Sequence, residues 1–165
     1  MKKYLAATKD GKDIYLGDKF ISHMEAHPNI NINIIKEAIN KIILGNRSFL
    51  IQSIDFHRII GKTKLVKINS NDNVIMKYRK NRAGKSPLII GHDEEDTSIV
   101  NIGLYLHNDN KYYIFTAFYG PKAPKEPWDP HIISEKEKHE SEEFWNNHAF
   151  AVKPHDISID WDRED

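Results

Sequence analysis

Ile35, Ala38, Ile39, Ile42 and Ile43 fall at i, i+3, i+4, i+7 and i+8, which is one apolar stripe of an amphipathic helix. Asn31 or Asn33 suits the N-cap of that helix, and Gly45 suits the left-handed position that closes one. An earlier helix is predicted from Asp18 as N-cap, with Phe20, Ile21 and Met24 at helical spacing, and Pro28 ends it. Ile14-Tyr15-Leu16, ahead of both, reads as a short strand. Beyond Gly45 the pattern changes to short β-like runs at residues 49–51, 65–68, 74–78 and 87–90. The polar turn 69–73 predicts a hairpin between the runs at 65–68 and 74–78. Residues 98–106 and 112–119 flank His107-Asn108-Asp109-Asn110 and predict the clearest hairpin of the chain. Strict alternation in its second strand puts Tyr112, Ile114, Thr116 and Phe118 on one face, and Tyr113, Phe115, Ala117 and Tyr119 on the other. Pro121, Pro124, Pro127 and Pro130 then crowd into one stretch with Trp128, which reads as an ordered loop or lid. A helix near 134–147 follows, anchored by Phe144 and Trp145, and the tail after Pro154 is expected to be extended.

The order of elements predicts an α+β fold. N-terminal helices pack on a four- to six-stranded antiparallel sheet, followed by a C-terminal proline-rich loop and short helix. A chain of 165 residues fits a single domain, with a helix-plus-sheet core at 14–120 and an extension at 121–165. The 39% hydrophobic content is enough for one core. With no cysteine, disulfides and thiolate metal sites are excluded, and a reducing, cytoplasmic location is expected. Lys9, Asp10, Lys12 and Asp13 come too early for a signal peptide, and no run of apolar residues suits a membrane span. Lys plus Arg and Asp plus Glu are balanced at 24 each, so net charge favours no partner. The distribution is uneven, however: residues 77–85 carry five bases (Lys77, Arg79, Lys80, Arg82, Lys85) and no acid, while the C-terminal end is acidic.

Several residues carry candidate chemistry. His23 and His27, four apart on one helix face, suit an acid–base pair, two ligands of a metal, or a helix-end pair with no further role. The His-Glu-x-x-His pattern of zinc proteases is absent, because Met24 stands at the Glu position. Arg79 and Arg82 leave a strand into a turn, where guanidinium forks suit phosphate oxygens, with Lys77 and Lys80 as further substrate contacts. The same lysines equally suit a solvated edge. Thr116 offers a hydroxyl to orient a phosphate, or is simply a good strand former. Tyr119 and His148 are candidate substrate contacts, and His148 also reads as a packing residue beside Phe144 and Trp145. Phosphate-binding glycine loops and the Gly-x-Ser-x-Gly elbow are absent from the sequence.

The run Phe20-Ile21-Ser22-His23-Met24-Glu25-Ala26-His27-Pro28 resembles the "His-Ile-x-x-His-Pro" opening of small bacterial and phage domains of the barnase–EndoU–colicin–RelE-like nuclease superfamily. Ile114-Phe115-Thr116-Ala117-Phe118 is similar to their "Thr-Ala-Tyr" strand, with Phe118 in place of the tyrosine. Arg79-x-x-Arg82, Glu126-Pro127-Trp128-Asp129 and Phe144-Trp145-x-x-His148-Ala149 look like an uncharacterised bacterial branch of that group. The resemblance spans roughly residues 18–150 and implies helices on an antiparallel sheet. It also implies a metal-independent ribonuclease, a toxin or phage-related effector, with RNA as substrate and an inhibitor or immunity protein as partner. His23 or His27 takes the acid–base role in this reading, Arg79 and Arg82 hold phosphate, and Thr116 orients it; no cofactor or metal is expected. The rivals are a non-catalytic interaction module using the aromatic-proline surface at 121–128, and a metal hydrolase using His23, His27 and a carboxylate.

Overall fold

The computed structural model describes residues 3–26, 30–79 and 82–156. Two strands, β1 (Lys3–Ala7) and β2 (Asp13–Leu16), precede helices α1 (Asp18–Ala26) and α2 (Ile32–Ile39). Next come β3 (Phe49–Asp55), β4 (Gly61–Thr63), β5 (Leu65–Lys67), β6 (Val74–Tyr78) and β7 (Lys85–Ile90). The chain continues through β8 (Glu95–Thr97), β9 (Ile99–Leu106), β10 (Tyr112–Tyr119), α3 (Glu135–Asn147) and β11 (His148–Val152). The fold is α+β, and among the described residues no helix is long and apolar enough to cross a membrane. The chain divides into two compact units: Met1–Lys62 with Asp96–Lys122, and Thr63–Glu95 with Ala123–Asp165. Residues 63–95, expected inside a continuous 14–120 core, therefore belong with the C-terminal segment.

The first unit holds a five-stranded sheet in the order β1-β2-β10-β9-β3. It is antiparallel except where β2 runs parallel to β10. Phe20 from α1 and Ile35, Ala38 and Ile39 from α2 are buried against Ile14, Val100, Ile102, Leu104 and Ile114 on one sheet face. Asn31 caps α2 as its residue type predicts, accepting the Asn33 N–H at 2.8 Å. The helix stops at Ile39, short of the predicted stripe. Ile42 and Leu44 are still buried, but from non-helical backbone, and Ile43 is 58% exposed. A tertiary competitor ends the helix. The Asp10 carboxylate accepts the N–H groups of Leu44 and Gly45 at 3.1 and 2.8 Å, and the Lys9 N–H donates to the Ile42 carbonyl. Gly45 takes the positive φ of 63° that the turn requires.

The β9–β10 hairpin forms as predicted, with Asn110 left-handed (φ 64°) in its turn. The register shifts between Ile114 and Thr116. That bulge sets Phe115 and Thr116 together over Gly103, where an added Cβ would lie 2.6 Å from the Thr116 methyl carbon. The strict alternation is thereby broken. Ile114, Ala117 and Tyr119 all face the helices, while Phe115 and Thr116 lie on the opposite face.

The second unit holds a four-stranded sheet in the order β5-β11-β7-β6. The predicted hairpin of 65–68 with 74–78 does not form; β5 pairs with β11 and β6 with β7. Strand β11, which the sequence pattern did not predict, is central because Ala149 and Ala151 bury against Val66 and Ile89 on one face, and Val152 buries against Leu88 on the other. A strand buried on both faces gains more from an interior position than the half-exposed β6, where Met76 and Tyr78 stay exposed. Strands β4 and β8 form a separate two-stranded ladder.

Candidate active site

The second unit concentrates its chemistry where the end of β6, the start of β7 and the proline-rich loop meet. Helix α3 fixes that loop. Ser134 caps the helix by accepting the Glu137 N–H at 3.1 Å, and the Glu137 carboxylate accepts the Ile133 N–H, a close relative of the capping box. The Ser141 hydroxyl then donates to the Lys125 carbonyl at 2.6 Å, and the Trp145 indole to the Pro124 carbonyl at 3.2 Å. Lys125 reaches Glu137 at 3.0 Å. Held in this way, the loop lays the Trp128 ring on Gly84, where any Cβ would fall 2.2 Å from the ring. Only glycine admits so close an approach.

Glu126, two residues before Trp128, is turned inward. Burial pushes its carboxyl up from the ordinary glutamate range, and the facing Ser86 hydroxyl and the charges of Arg79 and Arg82 offset part of that rise. The Ser86 hydroxyl is not aligned for a full hydrogen bond. Ser86 Oγ, Glu126 Oε1 and Trp128 Nε1 are buried and have no hydrogen-bond partner among the described residues. A buried polar atom without a partner costs about 1–3 kcal/mol, so three in one place need a reason. Arg82 closes a turn by donating its N–H to the Arg79 carbonyl at 3.0 Å, and the Arg79 guanidinium sits 5.3 Å from the Phe150 ring centre. Both arginines are exposed. A partly buried carboxyl thus lies within the electrostatic influence of two guanidinium groups, with the Ser86 hydroxyl beside it.

The other expected site residues are dispersed. His23 is half-buried on α1, stacked on Phe20, with Nε2 3.3 Å from the Ala117 carbonyl. Thr116 is in the same unit but on the sheet face away from the helices. Tyr119 is a core residue whose hydroxyl accepts the Asn31 N–H at 3.0 Å. Arg79, Arg82, Lys77 and His148 belong to the other unit. Lys77 lies in β6 opposite Ser86. His148 donates from Nδ1 to the Phe144 carbonyl at 2.9 Å and stacks on that ring, as its packing reading expects. His27 and Lys80 fall outside the described residues. Among the described residues no three His, Cys, Asp or Glu side chains converge as a metal site. Glu126, to which the sequence pattern assigned no role, carried one signal: a lone acid between Pro124 and Pro127, close to a tryptophan. No family model, curated protein or solved structure matches the chain.

Proposed function

We propose that the chain is a metal-independent ribonuclease that cleaves RNA by transesterification, with Glu126 in the acid–base role first expected of His23 or His27. The observation that carries this reading is the Glu126 carboxyl, raised by burial and facing Arg79 and Arg82. A carboxyl shifted toward neutrality is a better base than an ordinary one. Glu126 takes the proton of a ribose 2′-OH. That oxygen bonds to phosphorus, the bond from phosphorus to the 5′ oxygen breaks, and the leaving oxygen takes a proton from water. Arg79 and Arg82 stabilise the charge that builds on the phosphoryl oxygens. The resemblance of the Arg79-x-x-Arg82 and Glu126-Pro127-Trp128-Asp129 segments to one nuclease branch supports the reading and extends it to a toxin or phage-related effector countered by an inhibitor.

The test is cleavage of total RNA by the purified chain in EDTA, beside Glu126→Gln and Arg82→Ala variants shown to be folded. EDTA-resistant cleavage lost in both variants is expected, with DNA left intact. Cleavage that survives Glu126→Gln removes the carboxyl from the mechanism. No cleavage by the intact chain favours the non-catalytic binding module instead.

A further inference from the structure

The face of the five-stranded sheet that the helices leave uncovered carries one aromatic residue from every strand, in a single row. The register places Tyr4 opposite Tyr15, Tyr15 opposite Tyr113, Tyr113 opposite Tyr105, and Tyr105 opposite Phe49. Ring centres lie 6.0 Å apart for Tyr4–Tyr15, 6.1 Å for Tyr15–Tyr113 and 5.9 Å for Tyr105–Tyr113. The β10 bulge brings Phe115 into the row, 6.0 Å from Tyr105 and 5.3 Å from Phe49, which completes it. Strand spacing makes the row about 19 Å long. The uncovered face of such a sheet ordinarily alternates to polar residues. Cross-strand pairing explains contacts between neighbouring rings, but not why the outermost ones, Tyr4 and Phe49, stand 53% and 59% exposed.

The cations near the row indicate its occupant. The Lys111 ammonium sits 4.9 Å over the Tyr15 ring. Lys111 and Lys12 line a hollow of about 370 Å³ beside Tyr15, with Asp13 as the only acid lining it among the described residues. Asp109, at the next turn, accepts the Tyr113 hydroxyl at 2.6 Å and the Lys111 backbone N–H at 3.0 Å. That carboxylate pushes the Tyr113 phenol up to about 12, so the ring stays neutral. Rings in series, tilted or edge-on to one another, with ammonium groups at one end suit bases that stack on the exposed rings and a backbone that carries phosphate.

We propose that this aromatic row binds single-stranded RNA, with bases stacking on the exposed outer rings of Tyr4 and Phe49 and on the half-buried rings of Tyr15, Tyr105 and Phe115, while the buried Tyr113 only supports its neighbours and Lys12 and Lys111 contact the phosphates. The inference extends the ribonuclease reading by giving the substrate a second holding surface. It is read through binding rather than cleavage, so the two fail separately. The experiment is anisotropy of a 5′-labelled oligouridylate with the full chain carrying Glu126→Gln, so that no cleavage intervenes. It is repeated with an RNA duplex of equal length and with a cello-oligosaccharide as competitor. Tyr4→Leu and Phe49→Leu keep apolar cover but remove the exposed rings, and Tyr4→Phe keeps the ring. Single strands are expected to bind more tightly than duplex. Each leucine variant should weaken binding roughly fivefold to a hundredfold, and Tyr4→Phe should leave it unchanged. Equal affinity in the folded leucine variants, no binding of the oligouridylate at low salt, or displacement by the oligosaccharide overturns the proposal. Cleavage by the wild-type chain is scored independently of all three.

Discussion

Gly84→Ala tests whether the seating of Trp128 builds the candidate site. The new Cβ would lie 2.2 to 2.6 Å from three atoms of the indole ring. Carbon atoms pack at about 3.5–4.0 Å, so the ring must retreat by roughly 1.3 Å or β7 must yield. Forcing a methyl group into a packed contact costs about 1–3 kcal/mol. For a chain of this length that lowers Tm by about 2–12 °C. The same displacement falls on the loop that presents Glu126, and a misplacement of about 1 Å at a reacting centre costs on the order of a hundredfold in rate. The assay is a thermal melt followed by circular dichroism, beside RNA cleavage at a temperature where both proteins are folded. Gly17→Ala serves as control, since its Cβ would meet Tyr113 at an ordinary 3.7 Å. A Gly84→Ala protein that melts with the wild type and cleaves at its rate refutes the reasoning. One that melts lower but cleaves normally shows that Trp128 packs without shaping the site.

Glu126→Gln is expected to abolish cleavage and to leave Tm equal or higher near neutral pH. A carboxyl raised in the folded state is penalised when ionised, and the penalty fades as pH falls through the raised value toward 4.5. A lower Tm at neutral pH would contradict this. Asp10 behaves oppositely. The Thr8 hydroxyl, then the N–H groups of Gly45 and Leu44, hold its carboxyl well below the ordinary 3.8, so its contribution is complete above 3.8 and is lost as pH falls through the depressed value. The Tm gap between wild type and Asp10→Ala should therefore narrow in melts taken from about pH 4 down to about pH 2. Asn31→Ala removes the α2 cap and should cost about 1 kcal/mol in urea unfolding; no change would mean that the Asn33 N–H finds another acceptor.

Local signals were legible in the sequence wherever a short stretch of chain decides its own structure. The β9–β10 turn, the cap at Asn31, and the apolar stripe of Ile35, Ala38, Ile39 and Ile42 depend on neighbours within a few residues. The α+β class followed from the order of those signals. Tertiary structure decided the rest, because the competing partners come from far along the chain. Asp10 captures the backbone at 44–45 and ends α2 early, and β11 takes the place beside β5 that β6 was expected to fill. One bulge residue in β10 turns the alternation over, which puts Thr116 across the sheet from His23 and Tyr119 into the core. The arginines at 79 and 82 were legible as a basic turn, but their facing carboxyl comes from residue 126 and owes its raised pKa to burial. The aromatic row has the same origin. Each ring looks like an ordinary strand residue in sequence, and only the register of five strands lines them up.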